Sequence, residues 1–173
     1  LQQAQAYIYQ TLTDSVFSFW YGTKYDFNGT TESPQEGKIA CGYFVTTTLS
    51  HLSFFLPRVK MAQQPASIII RSLCSNESIQ VFDKLPKLQR YLRTQPQGIY
   101  ILGLDTHVGF LWKNEAGNWF VHSSYTGNNQ VSKEKITEST VISKSKSFYI
   151  GNLSHNQLLL ANWIQGNSIE LVK

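Results

Sequence analysis

The sequence predicts an α+β domain in which N-terminal helices pack on an antiparallel β-sheet, and three observations predict it. Up to Gln97 the apolar side chains recur mainly at helical spacing. From Gly98 the runs Gly98–Leu104, His107–Lys113 and Asn118–Tyr125 read as strands separated by short turns. Helical and strand-like textures are segregated along the chain, which argues against alternating parallel βα units. With 173 residues, 42% apolar and only 15% charged, one domain spanning residues 1–173 is the expectation, and a disordered tail protein is excluded.

In chain order, Ile8, Leu12 and Val16 at spacing four predict a helix over residues 4–21 that runs into the aromatic cluster Phe17, Phe19, Trp20 and Tyr21. Gly22–Gly37 is rich in turn residues, including Asn28-Gly29 and Ser33-Pro34, and reads as a long surface loop of the kind that often carries function. Lys38–Leu52 reads as a helix with Val45, Leu49 and Leu52 on one stripe, despite three successive threonines that are poor helix formers. Ser67–Leu73 fits either a short buried strand or the end of a helix. Asp83 is placed to cap a helix that turns Leu85, Leu88 and Leu92 inward, with Pro86 tolerated in its first turn. After the three-stranded meander, Thr140–Ser143 and Ser147–Ile150 are strand candidates, and Ser154 or Asn156 opens a helix that Gly166 ends.

Composition narrows the function classes. The net charge of +4 is a mild basic excess, and Lys133, Lys135, Lys144 and Lys146 are interleaved with Ser, Thr and Glu as on a solvated face, so no nucleic-acid partner is expected. No run approaches 18 consecutive apolar residues, so no membrane span is expected. The chain begins at Leu1, which suits removal of a secretion signal as well as a trimmed end; an extracytoplasmic location, periplasmic or secreted, is the expectation. Two cysteines, Cys41 and Cys74, are too few for a disulfide framework, although they suffice for one bridge.

Cys41 stands where a loop gives way to a helix. Backbone N–H groups and positive potential at a helix N-terminus favour a thiolate, predict a lowered thiol pKa and offer donors for an oxyanion. His107 opens a strand directly after the turn at Asp105-Thr106, a position where a general base is easily reached. His122 lies on the next strand. A four-residue connection over Asn114–Gly117 sets His107 opposite Ser124 and diagonal to His122, whereas a two-residue turn is expected to move the two imidazoles apart. Gly109, on the same face, leaves room beside the base. His51 and His155 read as surface or capping residues, and Cys74 as structural.

An aromatic-x-aromatic-Gly stretch, a Cys-Gly entering a helix, a His-Val-Gly-Phe strand and a strand ending His-Ser-Ser together resemble the NlpC-type cysteine peptidases of the papain-like superfamily over roughly residues 19–124. That family carries Tyr-x-Trp-Gly, Asp-Cys-Ser-Gly, His-Val-Gly and Ile-His-Ala-Ser in the same order. The resemblance implies a papain-like fold, Cys41 as nucleophile, His107 as general base and His122 as the polar residue orienting it. Trp20, Tyr21 and Gly42 are the candidate substrate-binding residues, with no cofactor and no metal. The implied activity is that of a cysteine amidase or endopeptidase acting on a cell-wall (peptidoglycan) peptide. Ala40 stands where the family has Asp, Gly42 follows the cysteine directly, and Phe19 replaces the substrate-binding tyrosine; these differences bear on the family's D-glutamyl substrate more than on Cys-His chemistry. A transglutaminase-like acyl transferase shares the order of Cys and His and is an alternative reading. A non-catalytic peptide- or glycan-binding module is another, to be separated by the rate of iodoacetamide labelling. A metal site built from Cys41, His107 and His122 is a third, although the spacing matches no zinc motif.

Overall fold

Six antiparallel strands form the middle layer of the computed structural model, which describes residues 1–172, and helices cover both of its faces. The chain enters through α1 (Gln2–Thr11), passes a π-helical turn at Leu12–Val16 and leaves through α2 (Phe17–Trp20). The helix predicted over 4–21 is therefore interrupted. A π turn adds about one residue per turn, so Phe17 rather than Val16 follows Leu12 into the core.

Residues 22–40 are not a bare loop. They contain β1 (Lys24–Tyr25) and β2 (Lys38–Ile39), paired in parallel, and Tyr25 N–H donates to the Asn129 carbonyl at 2.9 Å. Next comes α3 (Cys41–His51), which buries every residue from Gly42 to Leu49. Burial on all sides explains how three threonines are accommodated: packing outweighs propensity, and the Thr46 hydroxyl donates back to the Gly42 carbonyl at 3.1 Å.

The following elements are α4 (Arg58–Ala62), α5 (Ala66–Leu73), β3 (Gln80–Phe82) and α6 (Leu85–Thr94). The ambiguous segment 67–73 is thus helical, with Ile69, Ile70 and Leu73 buried. Asp83 does not cap α6: Lys84 occupies the N-cap, and Asp83 instead pairs with Lys87 at 2.8 Å.

The meander is β4 (Gly98–Gly103), β5 (Val108–Asn114) and β6 (Gly117–Ser123), extended by β7 (Val131–Lys135). Thr140–Ser143, predicted as a strand, falls in α7 (Thr140–Lys144), because the buried Ser139 accepts from the Ile142 N–H at 3.3 Å and starts a helical turn. Strand β8 (Phe148–Asn152) and helix α8 (Gln157–Gln165) follow. The latter is capped by Asn156 and ends at Gly166 with φ +68°, a left-handed conformation suited to glycine.

Sheet order is β3-β8-β4-β5-β6-β7. Alternation along the strands divides the core: Ile99, Ile101, Phe110 and Val121 pack with α1, α3, α5 and α8, while Tyr100, Leu102, Leu111 and Phe120 pack with α6 and α7. Among the described residues no helix is long and apolar enough to cross a membrane.

Candidate active site

Cys41 is the first residue of α3, and the segment leading to it is fastened to the sheet. The buried Ser123 hydroxyl at the end of β6 donates to the Ile39 carbonyl at 2.6 Å, and the Ala40 N–H donates to the Gly29 carbonyl at 2.9 Å. These bonds hold the head of α3 beside the entry of β5. The backbone N–H groups of Val108, Gly42 and Cys41 itself lie against the sulfur. Val108 is the residue after His107, and Cys41 and His107 line the same small cavity of about 170 Å³. Both cysteines are free, so the possible bridge to Cys74 is absent; Cys74 is buried against Gly151.

The two imidazoles meet. Strands β5 and β6 pair Lys113 with Asn118 and Asn114 with Gly117, so the turn proper is only Glu115-Ala116. A two-residue turn does not separate the histidines, because it lies inside the predicted connection and leaves the register unchanged. His107 Nε2 and His122 Nδ1 are 2.8 Å apart, and the rings are nearly perpendicular. Both rings are buried on the face shared with Phe120, which stacks on His122 at 4.2 Å between centroids. Gly109 makes this possible: a Cβ there would sit 2.7 Å from the Cβ of His122.

Sequence reasoning missed Glu134. Its Oε1 lies 3.0 Å from His122 Nε2, completing a chain from His107 through His122 to a carboxylate. Strand β7 is short and polar, with no apolar alternation to announce it. On it Glu134 pairs in register with Phe120 and reaches the neighbouring His122 on the same face. Burial acts to raise the Glu134 carboxyl, but hydrogen bonds from His122 and Ser139 outweigh it and hold the group below its ordinary range. At the other end of the chain, His107 Nδ1 is buried without a partner.

Burial dominates the electrostatics. It pushes the His107 imidazole down to about 3, with His122 adding to the shift. It also raises the Cys41 thiol despite the backbone donors around it, so the lowered thiol pKa expected from the helix N-terminus is corrected. At rest the thiol and the imidazole that line this cavity are both neutral.

Cys41 and Gly42 also line a larger cavity of about 600 Å³ walled by Tyr25, Phe27, Tyr43, Gln63 and Gln64. Gly42 is pressed against α4, where an added Cβ would strike the Ala62 carbonyl. Trp20 and Tyr21 line neither cavity, which corrects their assignment to the substrate site. Trp20 is fully buried between Phe44 and His51, and Tyr21 is half-buried against the core, with burial raising its phenol to about 12. Two of the aromatics at the cleft, Tyr25 and Phe27, come instead from the segment after them, whose Gly and Asn content marked it as loop without indicating which way its side chains turn, and the third, Tyr43, comes from α3. Among the described residues, no three His, Cys, Asp or Glu side chains are grouped to hold a metal ion; His107 Nε2 and both ring nitrogens of His122 are engaged within the chain that ends at Glu134.

No protein-family model, curated protein or solved structure matches the chain.

Proposed function

We propose that the protein is a cysteine hydrolase of the NlpC-like kind that cleaves an amide through a thioester, with Cys41 as nucleophile, His107 as general base and His122 as the residue that orients it. The observation that carries this reading is the buried, unpartnered Nδ1 of His107, whose other ring nitrogen is committed to His122, on a residue that lines the same small cavity as Cys41.

Because thiol and imidazole are both neutral at rest, proton transfer accompanies attack. His107 Nδ1 takes the Cys41 proton as the sulfur bonds to the amide carbon and the carbonyl electrons move to oxygen. Backbone N–H groups at the head of α3 are the donors available to that oxyanion. Collapse expels the amine, which takes the proton from His107. Water then gives a proton to His107 Nδ1 and attacks the thioester; the carbon–sulfur bond breaks, the sulfur regains its proton, and acid and amine leave.

The cleft supports a narrower substrate class. Its larger cavity is walled by aromatic and amide side chains with no Lys or Arg, which suits an acyl part bearing no free carboxylate. Phe19, at the position of the family's tyrosine, is exposed and lines neither cavity. A cell-wall peptide amide with an uncharged acyl flank is the substrate class we favour, and it carries with it an extracytoplasmic location.

The test is release of amine from a cell-wall peptide digest and from synthetic amides with charged or neutral acyl flanks. Wild-type protein releases amine, Cys41→Ala does not, and His107→Ala is slowed by about 10²–10⁴-fold, the usual contribution of a positioned base. Amine release surviving in Cys41→Ala refutes the assignment, and release by neither protein on any amide favours a binding module.

A further inference from the structure

We infer that Glu134 is a positioning residue that decides which nitrogen of His107 is free to accept a proton, by setting the direction of the hydrogen-bond chain through His122. Its catalytic consequence rests on the hydrolase reading above, whereas the direction of the chain rests on the geometry together with an ionised Glu134 and neutral imidazoles.

An ionised carboxylate can only accept. Glu134 Oε1 is 3.0 Å from His122 Nε2, so that nitrogen carries the hydrogen. A neutral His122 then has a bare Nδ1, which can only accept. His107 Nε2, 2.8 Å away, must therefore be the donor. A neutral His107 that keeps its hydrogen on Nε2 has its lone pair on Nδ1, and this is the nitrogen left unpartnered in the interior. With both rings neutral, reversing the bond between them puts a hydrogen on Nδ1, where it would block acceptance of the thiol proton.

Among the described residues, the two imidazoles have no other hydrogen-bond partner to impose this direction. The ring of Phe120 stacks on His122, that of Tyr125 meets His107 edge-on at 5.6 Å, and neither ring dictates a tautomer. Lys133 and Lys135, flanking Glu134 on β7, turn to the opposite face, where they lie over Trp112 and Trp119. Among the described residues Glu134 is the one carboxylate bonded to either ring, and a hydrogen bond from Ser139 helps to hold it.

The test is nitrogen NMR of the imidazoles in full-length protein labelled with ¹⁵N-histidine, with His51→Gln and His155→Gln variants used to assign the four histidines. In wild-type protein we expect both rings to be protonated at Nε2 and bare at Nδ1. A glutamine at 134 can donate or accept, so Glu134→Gln should introduce a population protonated at His107 Nδ1. Amide turnover should fall by about 10–100-fold, the range by which losing an outer-shell partner of a metal-bound imidazole lowers activity, and in kcat rather than KM. An unchanged tautomer pattern in Glu134→Gln overturns the inference. So does a wild-type spectrum with the hydrogen on His107 Nδ1, a measurement that does not depend on the variant folding. If the tautomers are as expected and no amide is cleaved, the hydrolase reading falls while the role of Glu134 stands. If turnover requires Cys41 and the tautomers are reversed, the opposite holds.

Discussion

At the scale of single residues, the site joins a thiol that burial makes a weaker acid to an imidazole that burial makes a weaker base. The sign of the pH dependence follows. A base that gains its proton only near pH 3 is in its working form at pH 5 as well as at pH 7.5, so kcat/KM should stay nearly flat as the pH falls across that interval. A pH–rate profile whose acid limb lies near the ordinary 6.5 of histidine would contradict this. Rapid iodoacetamide labelling at neutral pH, which the sequence suggested as a sign of catalysis, is no longer required of a working Cys41, because its thiolate is scarce until transfer to His107 is coupled to attack. Cys41, His107 and His122 were legible because their residue types and spacing carry the chemistry. Glu134 was not: a lone acid between two lysines looks like any solvated strand, and only the pairing of β7 with β6 brings it to His122.

At the scale of elements, the site depends on joining the head of α3 to the end of β6. The link is the Ser123 hydroxyl on the Ile39 carbonyl, buried and short. Ser123→Ala leaves that carbonyl without its side-chain donor and should cost about 1–3 kcal/mol, read as a lowered denaturation midpoint. Because Ile39 lies two residues before Cys41, amide turnover should also fall; stability lost with turnover intact would show that the tether plays no part in placing the sulfur. Strands β4 to β6 were readable because each carries a long apolar run bounded by turn residues. Segment 140–143 was misread because Val141 and Ile142 favour strands, while the decisive feature is the cap supplied by Ser139. The two-residue strands β1 and β2 left no periodicity at all, since β1 is defined by tertiary hydrogen bonds to 129–131 and β2 by its pairing with β1.

At the scale of the whole molecule, helices on both faces of the sheet enclose the imidazole pair and set how the fold responds to acid. His107 titrates near 6.5 when unfolded and near 3 when folded, so its contribution to stability is complete above 6.5 and is lost as the pH falls towards 3. The loss is on the order of 5 kcal/mol at most. Glu134, held below its ordinary range, acts in the same direction at the lower end of that window. His107→Gln should flatten the fall in melting temperature between pH 6.5 and 4, and a slope equal to that of wild type would show that His107 is not buried in its neutral form. The α+β class was legible from the order of textures. The sheet order was not, because β8 inserts between β3 and β4 through contacts far apart in sequence, and the helices of the second face, α6 and α7, carry no mark of which side they cover.

The most direct measurement of the central claim is mass spectrometry of the acid-quenched reaction with a cell-wall peptide amide, looking for acyl mass on the peptide that contains Cys41. The account predicts that mass as a thioester on Cys41, removed by hydroxylamine and absent from Cys41→Ala. Turnover that proceeds with the acyl group on another residue, or undiminished when Cys41 is replaced, would contradict it.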